Sequence, residues 1–422
     1  MSDFPEELVT LAEQEVAGLN GTDVQDDLAE VVDPAHPVDV GLAEAADDVD
    51  NASEAVVSLE SYFNRFMDLC PKTEWNRQVA TQYELGARGL LAARGITVPS
   101  ALYAPSFESA EAVDETGTKK KTYTKDEHYE EVQGRTRAFL TRIYEALKAA
   151  IKKFFGWLND WQHRQRTNAA RLRKAADSTE GYLKARLGLG YQERRGTVVV
   201  KDKSYLEGGD ESLKGTKPSK ALQLLVAEAT NIATDWNAAY ETGLKEAVAG
   251  LKKGAVPALT DVHAKIKRYS SVKFPGGIRI ETIARGDDPV RALAHGKIEI
   301  AEGKPGGRGA IGSLPVTEIR DCLTEIRAAA KYMEDSANSI KSTQRDVDQA
   351  IKGVQDAIDK AKAIKETSDI KTLAQSLAPI ATRTTLAWRE LNPLVSSFAF
   401  KVNDHCHAAI NGFMPPARPR GR

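Results

Sequence analysis

Thirteen positions from Ile319 to Ala361 alternate spacings of four and three without a slip, and this run constrains the fold more than any other feature. They are Ile319, Leu323, Ile326, Ala330, Met333, Ala337, Ile340, Gln344, Val347, Ile351, Val354, Ile358 and Ala361, all apolar except Gln344. A 3.5-residue period held this long requires a long helix whose seam packs on other helices, with Gln344 as a polar position that sets register. Pro315 stands where a helix start tolerates proline. After a break near Thr367 to Asp369, Ile370, Leu373, Leu377 and Ile380 resume a helical stripe. An antiparallel helical hairpin is the simplest cover for the seam, and self-association through 319–361 is the other. Pro379 and Pro393 are expected to kink or interrupt the last helix.

A second stripe, Phe139, Ile143, Leu147, Ile151, Phe154, Leu158 and Trp161, predicts a helix from about His128 to Arg186. Gly188, Gly190 and Gly196 end it, and Thr197 to Leu206 is β-branched enough for a strand or hairpin. Helical pattern returns from Ser219 to about Lys253. Between 254 and 313, Ile278 and Ile280, then Ile298 and Ile300, alternate with polar residues among glycine-rich turns, as small β-hairpins do. Upstream, 61–108 holds one or two short helices, with Pro99, Pro105 and the stretch from Glu111 to His128 as a linker. The expected fold is mainly α: an elongated helical bundle with a long heptad helix and small β-hairpin inserts, preceded by a disordered acidic leader. The divisions are 1–60 (acidic leader), 61–127 (short helices and linker), 128–313 (basic helix with helices and hairpin inserts), 314–412 (heptad and C-terminal helices) and 413–422 (basic tail).

The net charge of −2 conceals two opposed regions. Residues 1–60 hold 17 acidic residues and no Lys or Arg, and the first basic residue is Arg65. The remaining 43 acidic residues face all 58 basic ones, so 61–422 carries +15. An acidic tail of this kind is commonly disordered. Against that, Leu8, Leu11, Val16 and Leu19 fall near helical spacing and offer an apolar face for docking to a partner. The positive charge concentrates at Arg142, Lys148, Lys152, Lys153, Arg164, Arg166, Arg171, Arg173 and Lys174, opposed locally by Glu145 and Asp160. Such a helix is either a solvated bundle face or a non-specific phosphate-binding surface. Phe154, Phe155, Trp157 and Trp161 beside lysines leave a membrane-active helix over 137–161 as the competing mechanism.

Enzymatic motifs are lacking. Gly307 to Gly312 has GxGxxG spacing, but Pro305 and Pro315 flank it where a dinucleotide site needs a strand and then a helix, so a flexible loop is expected. His405, Cys406 and His407 are metal-capable but adjacent, and no second ligand pair stands nearby, so no metal and no cofactor is expected. There is no GxSxG elbow, HExxH helix, Walker loop or kinase signature, and no catalytic residue is nominated. Cys70, Cys322 and Cys406 are odd in number and far apart in sequence, as reduced thiols of a cytoplasmic product are. No apolar run reaches the roughly 18 residues of a membrane span, and the first thirty residues are no secretory signal.

Ser58-Leu59-Glu60 closes the acidic region, and Ser-x-Glu recurs at Ser106-Phe107-Glu108, at Ser109 to Glu111 and at Ser178 to Glu180. Such triplets at the end of an acidic leader resemble the sites cut by prohead maturation proteases of large tailed phages. Joined to the basic aromatic segment ALKAAIKKFFGWLNDW, they resemble the internal head, or inner-body, proteins of giant phages. The resemblance covers the overall plan and residues 50–180. It implies a virion protein made in the host cytoplasm, directed by a propeptide into the prohead alongside capsid or scaffold proteins. There a protease cuts after Glu, and the mature form stays with packaged DNA in the capsid interior and can be injected with the genome. On this resemblance Glu60 precedes the principal cut and Glu108 is the second candidate, with Leu-Ala-Glu at 11–13, 28–30 and 42–44 as extra cuts. The hairpins are not part of the resemblance.

Overall fold

An apolar residue every three or four positions from Leu42 to Leu59 makes a helix of the end of the acidic region. In the computed structural model, residues 37–69, 77–98, 125–203, 205–206, 215–253, 258–266, 272–274, 277–284, 288–301, 307–339, 345 and 377–415 are described. The first element, α1 (Pro37–Leu69), opens on a proline whose missing N–H costs nothing there. Its seam of Leu42, Ala45, Val49, Ala52, Val56 and Leu59 is at most 3% exposed. Residues 37–60 are thus helical, correcting the disorder expected for the leader. The physical reason is that Leu42, Val49, Val56 and Leu59 each gain roughly 1.5–3 kcal/mol on burial, which offsets the cost of ordering the chain. The stripe from Leu8 to Leu19 lies outside the described residues.

The remaining elements are α2 (Arg77–Ala92), α3 (Lys125–Gly188), β1 (Thr197–Val200), α4 (Pro218–Lys253), α5 (Thr260–Ile266), β2 (Val272–Lys273), β3 (Arg279–Ile283), α6 (Pro289–Ala294), β4 (Lys297–Ala301), β5 (Gly309–Gly312), α7 (Val316–Ser339), α8 (Ala378–Arg383) and α9 (Leu386–Asn411). The protein is mostly helical with a few small antiparallel strand pairs. The 64-residue α3 extends the expected 128–186 by a few residues at each end and buries its whole apolar stripe from Phe139 to Trp161.

Cross-helix contacts give the directions of packing. Asp39 meets Arg164 and Asp48 meets Lys153, so α1 runs antiparallel to α3. Arg166 with Asn338 and Arg173 with Glu334 make α7 antiparallel as well. Asn392 with Gln165, and Asn403 with Thr179, make α9 parallel to α3. The heptad positions from Ile319 to Ala337 are all buried, against α3, α4 and α9 of the same chain. This described half of the seam is therefore satisfied internally and is closed to self-association. Ile340 to Ala361, with Gln344, and also Ile370 and Leu373, lie outside the described residues. Pro379 sits in the first turn of α8, while Pro393 lies inside α9 without ending it.

The glycine-rich inserts form two small sheets. In one, β2, β3 and β4 lie in order, and Ile280 opposite Ile300 and Thr282 opposite Ile298 bear out the alternation. In the other, β1 pairs with β5, Val198 opposite Ile311, so Thr197–Val200 is no local hairpin. The GxGxxG segment supplies that edge strand, which corrects the expectation of a flexible loop.

Candidate nucleic-acid interface

A helix 64 residues long with many cations distributes them around its axis, and each arc of α3 meets a different neighbour. On the α1 side, Lys153 Nζ donates to Asp48 at 2.8 Å, and the Arg164 guanidinium pairs with Asp39. Asp48 and then Glu44 hold the Lys153 ammonium above its usual range. A third pair joins α1 to α8, where Arg383 donates to both oxygens of Asp50 at 3.0 and 2.5 Å. Arg383 was not among the sequence candidates, because its partner is 333 residues away.

On the α7 side, Arg173 forks onto Glu334 and Arg166 donates to Asn338 at 3.1 Å. Further along, Arg327 bridges Asp177 and Glu180, and Lys184 together with Arg327 holds the Glu180 carboxyl down at about 2. Between these flanks Lys148, Lys152 and Lys174 are exposed. Arg171 is half-buried at a cavity of about 320 Å³ that it shares with Arg164, His163 and Val38. Arg142, the ninth, pairs with Glu145 on its own helix, and the nine basic residues thus form no single patch.

The aromatic residues proposed for a membrane interface face inward. Phe154, Phe155 and Trp161 are 0–4% exposed. Trp157 packs on Gly41, where a side chain on α1 would overlap its ring. This face is occupied by the protein's own core, which removes the basis for a membrane-active 137–161. Among the described residues no helix is long and apolar enough to cross a membrane.

Ser58, Leu59 and Glu60 lie inside α1, with Leu59 fully buried. Just beyond them α1 also packs on α2. Tyr62, Phe63 and Phe66 gather on Tyr83 of α2 with ring centroids 5.1–6.1 Å apart, and burial pushes the Tyr83 phenol up to about 12. Glu54, ahead of the triplet, already pairs with Arg94 just after α2, so the contacts of α1 with the α2 region span the triplet. Ser106, Phe107, Glu108, Ser109 and Glu111 lie outside the described residues.

The metal-capable triplet is dispersed by its helix. His405 Nε2 donates to Gly312 O at 2.7 Å while Nδ1 accepts from the Tyr205 hydroxyl at 2.6 Å, so the ring is a neutral clamp on β5. His407 stacks on Tyr182 instead. Cys406 and Cys322 are buried free thiols. Among the described residues no group of three or more His, Cys, Asp or Glu is placed to hold a metal ion.

Residues 23–387 match the family of phiKZ-like phage internal head proteins. No curated protein and no solved structure matches the chain.

Proposed function

The chain belongs to the phiKZ-like phage internal head proteins, and from that premise we propose that it is a non-enzymatic structural protein of the head interior whose acidic N-terminal region is a removable propeptide. It is made in the host cytoplasm and carried into the prohead among capsid or scaffold proteins. A prohead protease cuts it after Ser-x-Glu, at Glu60 or Glu108, and the basic remainder stays with packaged DNA.

The observation that carries this reading is the set of ion pairs from Asp39, Asp48 and Asp50 to Arg164, Lys153 and Arg383. The acidic region is folded onto the cations that the mature protein needs, and loss of 1–60 converts a net charge of −2 into +15. Lys152 and Lys174, exposed on α3, supply phosphate contacts in either form, whereas Arg166 and Arg173 are held by α7.

Non-specific phosphate binding releases counterions, with a slope of about −0.9 per neutralised phosphate in a plot of log K against log salt. Protein recovered from mature heads is expected to bind duplex DNA with a steeper salt slope than the full chain. Equal slopes and affinities would overturn the reading.

A further inference from the structure

Beneath the first turn of α1 lies a cavity of about 290 Å³ between α1, α3, α7 and α9. Its polar lining comes from Arg164, Gln165 and Asn168 of α3 and from Arg389, Asn392 and Ser396 of α9. Asn392 and Ser396 are at most 1% exposed, yet Asn392 Oδ1 and Ser396 Oγ have no hydrogen-bond partner. Buried polar atoms without partners are uncommon and call for a ligand or an ordered water. The amide nitrogen of Asn392 is already used, donating to Gln165 at 3.2 Å and to Ser336 at 2.7 Å, so its oxygen, an acceptor, calls for a water, whereas the Ser396 hydroxyl can donate to an anion.

The charges are also unbalanced. Arg164 is met by Asp39, which forms part of the roof with Leu42 and Ala43. Among the described residues Arg389 has no carboxylate within salt-bridge distance, and it lies 5.9 Å from the Phe154 ring centroid. Burial pulls its guanidinium below the usual range. Glu390 also lines the cavity, and burial pushes its carboxyl up, toward the neutral form.

We propose that this cavity is a phosphate site closed in the intact chain by the carboxylate of Asp39. Arg164 and Arg389 hold the oxyanion, and the Ser396 hydroxyl donates to it. Guanidinium groups suit this task because their fork matches two oxygens of one phosphate. Asp39 stands in for the phosphate, and removal of 37–60 takes away that carboxylate together with the roof. Resting on the propeptide reading above, the phosphate is assigned to the duplex DNA backbone, with free inorganic phosphate as the other source of the same chemistry.

The test uses the full chain carrying Asp39→Asn, which removes the competing charge without cleavage, with thermal melting as the check on folding. Inorganic phosphate is expected to raise the melting temperature of this variant and not that of the wild type. Once 1–60 is removed and the roof with it, duplex DNA binding should gain about 0.9 in salt slope from this one phosphate contact. Adding Arg389→Gln or Ser396→Ala should abolish both gains, whereas Lys174→Gln, outside the cavity, should leave them intact. Arg389→Lys, which keeps charge without the fork, guards against a folding defect and should restore part of the response. A response to inorganic phosphate without one to DNA overturns DNA as the source. No response to either overturns the site. If protein from mature heads still binds DNA in that case, the propeptide reading survives and only the cavity assignment falls.

Discussion

Lys153 and Arg164 are turned toward α1, whereas Arg166 and Arg173, on the same helix, are turned toward α7. Both flanks meet acidic or polar partners across an antiparallel helix. The α7 partners belong to the central helix of the bundle, which touches α3, α4 and α9 and lies outside the proposed propeptide. The α1 partners stand in the acidic N-terminal region, ahead of the triplet that resembles a cleavage site. Charge at the α7 flank is structural, and charge at the α1 flank is conditional on the N-terminal region being present.

The largest effect that could break this comparison is loss of a buried side chain on either neighbour. Leu59 and Ile326 are both fully buried, and truncating either to alanine is expected to cost about 2–5 kcal/mol in chemical denaturation. If Leu59→Ala costs nothing while Ile326→Ala costs the full amount, α1 is not part of the folded body and the conditional flank disappears. A change at Gly41 is next. Alanine is ordinarily the better helix residue, but here it meets the Trp157 ring, so Gly41→Ala is expected to destabilise by about 1–3 kcal/mol. Gly156 on α3 has open space around it, and Gly156→Ala should instead stabilise by about 0.5–1 kcal/mol. Opposite signs in the same melting assay would sharpen the docking of α1 on the aromatic stripe.

A smaller effect separates the ends of the bundle by pH. Burial lowers the affinity of His405 and His407 for a proton below the ordinary value of 6.5. Below that pH the unfolded chain takes up protons that the folded chain resists. Stability from these residues is therefore complete above about 6.5 and is lost as the pH falls. Hydrogen exchange should show the β1–β5 strands, which His405 clamps, opening at acidic pH before α1 does. Opening of α1 first would contradict the assignment. The smallest effect belongs to the exposed pair. Asp48→Asn should cost no more than about 0.2–1 kcal/mol because Lys153 and Asp48 are both about half exposed. Asp50→Asn, which strands the largely buried Arg383, should cost more.

Much of the helical framework was legible because long apolar stripes survive any tertiary context. Phe139 to Trp161 and Ile319 to Ala337 read as buried faces, and both are. The 37–60 helix was hidden by its composition. Seven carboxylates in that stretch pointed to disorder, while the Leu42 to Leu59 seam that decides the matter carries alanines, which give a weak hydrophobic signal. The pairing of Thr197–Val200 with Gly309–Gly312 was out of reach for another reason. Short strands far apart in sequence carry no local mark of their partner. The same holds for the cavity, whose polar residues come from three helices at positions that read as ordinary bundle interior. Of the basic residues on α3, the sequence showed the charge but not the direction, and direction separates Lys153 and Arg164 from Arg166 and Arg173.

The central claim is that the acidic helix facing α3 belongs to a precursor. The intact mass of the protein extracted from mature phage heads tests it most directly. A chain beginning at Ser61 or Ser109 is the predicted result. Recovery of the full 422-residue chain would contradict it, because the carboxylates of Asp39, Asp48 and Asp50 would then remain on the basic surface throughout the life of the particle.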